Sequence, residues 1–146
     1  MNNKPNKVLQ DWQERDKLIF GNADLSNYVP SRIREFTDLS PTLIPKIISL
    51  EESSRVEKNF TEDLLAHYGL SLQLLEKDPQ LEIVFYGYCT SPAGEGYRTS
   101  ITDIVIQASA GQELGKDIWQ FLLSYFSGIC LECCEVSNQR VHLNWD

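Results

Sequence analysis

The chain has 146 residues, four cysteines and a formal charge of −8, from 21 acidic and 13 basic side chains. That length suits one domain, able to bury about two-thirds of its unfolded surface without a disulfide or metal staple. The acidic balance speaks against nucleic acid and against an anionic membrane surface, both of which need clustered Lys and Arg. It favours solubility and leaves room for a basic protein partner.

The start, "MNNKPNKVLQDWQERDK", has no apolar core of the kind a signal peptide needs. No apolar run approaches the roughly 20 residues of a spanning helix. The expectation is a cytoplasmic chain with reduced thiols. Its first seven residues are polar enough to be disordered, residues 8–78 read as mainly helical, and 79–146 as ββαββ.

Residues 6–19 set Val8, Leu9, Trp12 and Ile19 among charges, which predicts an amphipathic helix. "GNADLSNYVPS" reads as a loop, and a short helix is expected over "SRIREF". Ser40 as N-cap and Pro41 in the first turn predict a helix at about 41–51. A second helix, about 54–68, places Val56, Phe60, Leu64 and Tyr68 four apart on one face. It is expected to end at a left-handed Gly69, with Ser71 capping one more turn before Asp78-Pro79. His67 falls in the last turn of that helix, where a cation meets the helix dipole favourably, and needs no further role.

Beyond residue 79 the period changes. "LEIVFYGYC" (81–89) and "TSITDIVIQA" (99–108) are rich in β-branched and aromatic residues and read as strands. In the first, Leu81, Ile83, Phe85 and Cys89 face one way, and Glu82, Tyr86 and Tyr88 the other. In the second, Ile104, Ile106 and Ala108 oppose Ile101, Asp103, Val105 and Gln107. The connecting "TSPAGEGYR" lacks the Lys-[Ser/Thr] of a phosphate loop and joins two strands, so it reads as a contact loop carrying Glu95, Tyr97 and Arg98. Ser109 is expected to cap a helix over 111–126, cored by Leu114, Ile118, Phe121, Leu122 and Tyr125. Trp119, Leu123 and Phe126 widen that stripe, which implies burial on more than one side. Gly128 ends the helix.

The C-terminal "GICLECCEVSNQRVHLNWD" holds three of the cysteines and one of the histidines. Matching faces across a three-residue loop at 137–139 pairs Cys133 with Leu143, Leu131 with Trp145 and Glu135 with Val141. The other face then pairs Cys134 with His142 and Glu132 with Asn144, and adds Cys130 and Arg140. The expected architecture is α+β: a helical N-terminal half, then ββαββ, with an antiparallel or mixed sheet of about four strands and helices packed on one face.

Within a strand Cys130 and Cys133 point to opposite faces, and no second Cys pair is present, so no metal site is assigned. No cofactor motif is recognisable either. The candidates for chemistry are Cys134 beside His142, a thiol near an imidazole, with Asp103 or Glu132 assisting if their strands are neighbours. The candidates for partner contact are Tyr86, Tyr88, Glu95, Tyr97 and Arg98, because tyrosine buries area yet keeps a polar tip. The leading expectation is a non-enzymatic protein–protein interaction module, of adaptor, inhibitor or immunity type or like an escort chaperone, with a homo-oligomer left open. The alternative is a small-molecule binder or thiol enzyme using Cys134 and His142.

Overall fold

A computed structural model describes residues 4–21, 33–52, 58–90, 98–128 and 132–145. Four helices and a five-stranded antiparallel sheet make the expected α+β fold, the sheet having one strand more than the sequence suggested. In chain order they are α1 (Lys4–Phe20), β1 (Ile33–Leu39), α2 (Ile44–Glu51), α3 (Lys58–Lys77), β2 (Glu82–Thr90), β3 (Thr99–Gln107), α4 (Lys116–Tyr125), β4 (Glu132–Val136) and β5 (Arg140–Asn144). The strand order is β1-β2-β3-β5-β4.

The additional strand, β1, covers most of the stretch expected to be a short helix, "SRIREF", and pairs with β2. Phe36 and Leu39 sit three apart, a helical spacing, yet both are buried in the core. A β-bulge reconciles the two facts. Phe36 lies opposite Gly87 and Leu39 opposite Phe85, so β1 spends three steps where β2 spends two. The extra residue returns Leu39 to the face of Phe36.

Pro41–Leu43 form a 3-10 turn with the Ser40 hydroxyl accepting from the Thr42 amide, as the Ser-Pro signal predicted, and α2 follows directly. α3 departs from expectation by running unbroken through Gly69 to Lys77. Gly69 is helical, and the left-handed glycines among the described residues are Gly21, Gly111 and Gly128. α4 begins at Lys116 behind Gly115 as N-cap rather than near Ser109. It is buried on one side only, since Ile118 and Leu122 are buried while Leu123 is 75% exposed.

One core joins sheet and helices. Phe85, Ile104 and Leu143 lie in register across β2, β3 and β5, and they meet Ile47 of α2, Leu64 and Leu74 of α3, and Ile118 of α4. These sheet residues share one face, and the core of the described helices packs against it. α1 docks at the end of the same face through Trp12 and the fully buried Arg15. Arg15 donates to Glu51 Oε1 (3.1 Å), the Thr90 carbonyl (2.7 Å), the Arg98 carbonyl (3.1 Å), Thr99 Oγ1 (3.3 Å) and Asp16 Oδ1 (3.0 Å). One guanidinium therefore ties α1 to α2 and to both strand ends of the β2–β3 connection. Among the described residues no helix is long and apolar enough to cross a membrane.

A candidate groove on the uncovered sheet face

The face opposite the helices is built in rows by strand register. Glu35, Tyr88 and Ser100 form one row, and Tyr86, Asp103, Asn144 and Glu132 the next. Val84, Val105, His142 and Glu135 form a third, and Glu82, Gln107 and Arg140 a fourth. Of the described helices α3 borders it, where Asp63, Leu64 and His67 line a cavity with Tyr88 and Ser100.

Two bulges shape this face. In β3, Tyr86 lies opposite Asp103 but Gly87 opposite Ile101, which makes Thr102 an extra residue. The β1 bulge lies directly across β2 from it. Between them stands Gly87, where a Cβ would lie 2.0 Å from the Ser100 carbonyl oxygen and 2.9 Å from Phe36 Cζ. Only glycine allows β3 and β1 to close this tightly on β2. The result is an open groove of about 250 Å³ lined by Glu35, Phe36, Thr37, Tyr86, Gly87, Tyr88, Thr102 and Asp103.

Beside the groove a polar unit is fixed on two adjacent strands, β3 and β5. His142 Nε2 lies 2.7 Å from Asp103 Oδ2, and Asn144 Nδ2 donates to Asp103 Oδ1 at 2.9 Å. The Thr102 hydroxyl, carried by the bulge, also donates to Asp103 Oδ1. Burial raises the Asp103 carboxyl, but the hydrogen bonds from Thr102, His142 and Asn144 outweigh it and hold the group below its ordinary value. Asp103 is thus an ionised carboxylate only 8% exposed. The rings of Tyr86 and His142 meet edge to face with centroids 4.8 Å apart. Their strands flank β3 and are separated by about twice the strand spacing, roughly 10 Å. Both rings therefore lean inward over β3, which accounts for the burial of Val105 between them.

The sequence candidates divide as follows. Asp103 and His142 are brought together because β3 and β5 are neighbours. Cys134 is not opposite His142: Cys133 pairs with Leu143 and Glu135 with His142, so a bulge at Cys134 displaces it and puts Glu135 in that place. Glu132 does face Asn144, as expected. Tyr86 and Tyr88 share the groove. Arg98 lies on Tyr88, its guanidinium carbon 5.9 Å from the ring centroid and Nη2 3.4 Å from the hydroxyl. Glu95, Tyr97 and Cys130 lie outside the described residues, and only the backbone of Cys133 and Cys134 is described. Glu35 and Thr37 were missed because their strand was read as a helix. No two-residue alternation marks them, since Ile33, Phe36 and Leu39 recur every three residues, a helical spacing.

The remaining thiol with a described side chain, Cys89, is buried beside Thr99, and burial pushes it up to about 11. Such a thiol is inert as a nucleophile. Among the described residues no group of three or more His, Cys, Asp or Glu side chains is arranged to hold a metal ion. Comparison with known protein families, with curated proteins and with solved structures gives no match.

Proposed function

We propose that this chain is a non-enzymatic protein-binding module whose partner docks on the uncovered sheet face. The observation that carries this reading is the groove that bulges and Gly87 build on that face, walled by Tyr86 and Tyr88. Tyrosine beside fixed polar groups is the composition of protein interfaces, where a rigid ring offers area and its hydroxyl offers a hydrogen bond. The sheet edges favour the face as the docking surface. β1 and β4 are the edge strands, and each carries a bulge, a device that discourages strand-to-strand addition. A thiol mechanism draws no support from the register, which sets Glu135 rather than Cys134 against His142.

The test is affinity capture with three immobilised forms: wild type, a Tyr86→Ala/Tyr88→Ala double variant, and Leu123→Ser on the exposed side of α4. A protein retained by wild type and by Leu123→Ser, but lost with the tyrosine variant, is the expected result. A captured set indifferent to the two tyrosines refutes the reading.

A further inference from the structure

We infer that the groove receives an arginine side chain of the partner, an assignment that rests on the partner-binding reading above. Among the described residues the groove is lined by two carboxylates, Glu35 and Asp103, and by no basic side chain. Asp103 is kept ionised, and its oxygens already accept from Thr102, Asn144 and His142, so it supplies negative charge rather than an open acceptor pair. Glu35 is exposed, pairs in register with Tyr88, and among the described residues enters no hydrogen bond or ion pair. It is the carboxylate left to accept a fork of two N–H groups.

The aromatic side of the groove fits the same cation. A planar guanidinium stacks on tyrosine as an ammonium does not. The chain's own Arg98 already makes a guanidinium contact with Tyr88 from the strand end. The size fits one side chain rather than a free metabolite. At about 250 Å³ the groove is smaller than the roughly 300–1,000 Å³ typical of small-molecule sites, and it is open rather than enclosed. The net charge of −8 would draw a basic segment to the surface before any specific contact forms.

The experiment is an NMR titration of the full ¹⁵N-labelled chain with Nα-acetyl-arginine amide, and separately with the uncharged citrulline and the lysine analogues. Saturable shifts confined to Glu35, Tyr86, Tyr88 and Asp103 are expected with arginine. Citrulline should bind about tenfold more weakly or worse, and so should arginine to Glu35→Gln, the loss of about 1.4 kcal/mol that one exposed charge-assisted contact implies. Glu35 is exposed, so this variant keeps the fold, and Glu113→Gln, in the exposed segment before α4, should change nothing. An equal response to citrulline, a stronger one to lysine, shifts spread over the acidic surface, or indifference to Glu35→Gln overturns the assignment. If tyrosine-dependent capture survives such a result, only the arginine assignment falls; if capture fails as well, both readings fall.

Discussion

Glu51→Gln should change how stability depends on pH, and by an amount the structure sets. Glu51 is 1% exposed, accepts from Thr99 Oγ1 at 2.8 Å, and faces Arg15 Nη1 at 3.1 Å. Burial pushes its carboxyl up to about 7, against the opposing pull of Arg15 and the Thr99 hydroxyl; its ordinary value is 4.5. Between those two values the folded chain holds a proton that the unfolded chain has released. Stability from this group is therefore greatest below pH 4.5 and declines as pH rises to about 7. A tenfold difference in proton affinity corresponds to about 1.4 kcal/mol, so the decline reaches about 3 kcal/mol across the window. Asp16, also raised by burial, acts with the same sign from its lower starting point. His67, lowered by burial, acts with the opposite sign: its contribution is present above 6.5 and lost as pH falls. Both groups remain in the variant. The difference between wild type and Glu51→Gln therefore isolates Glu51, and glutamine keeps an oxygen for Thr99 and Arg15. Urea titrations followed by tryptophan fluorescence, at about pH 5 and about pH 8, measure it. The variant should gain on wild type by up to about 3 kcal/mol on going to the higher pH. Two parallel profiles, with a constant difference across the window, would refute the account of Glu51 as a carboxyl buried beyond what its partners offset.

Gly87→Ala should destabilise the fold by about 3 kcal/mol or more, read as a fall in urea midpoint, because the new Cβ lands 2.0 Å from a backbone oxygen that cannot swing aside. Asp103→Asn should cost about 1–3 kcal/mol near neutrality by weakening charge-assisted bonds from His142, Asn144 and Thr102. The wild-type Asp103 contribution is present above its ordinary 3.8 and lost as pH falls below it, so the variant's acid-melting curve should lack that loss. Cys89, with its thiol pushed up to about 11, should react with iodoacetamide in the native state at least about a hundredfold more slowly than in the urea-unfolded chain, which mass spectrometry of the labelled peptide resolves.

Periodicity alone determined much of this protein. The strands at 82–90 and 99–107, the buried row of Leu81, Ile83, Phe85 and Cys89, and the Cys133–Leu143 and Glu132–Asn144 pairs all follow from two-residue alternation. What alternation could not supply was the position of the bulges. Each adds one residue and reverses the facing of all that follows. The β1 bulge gave Phe36 and Leu39 a helical spacing and hid the strand, and Glu35 with it. The Thr102 bulge turned Ile101, expected on the mixed face, into the core. The Cys134 bulge set Glu135 rather than Cys134 in register with His142. Tertiary packing decides such shifts, because the cost of an unpaired residue is set by what the two flanking strands must bury. The same holds for Arg15 and Glu51. They are 36 residues apart, and sequence marks both as ordinary surface charges on helices. Only the docking of α1 over the end of the sheet makes them a buried pair, and only the neighbouring of β3 and β5 brings Asp103 to His142 beside the groove.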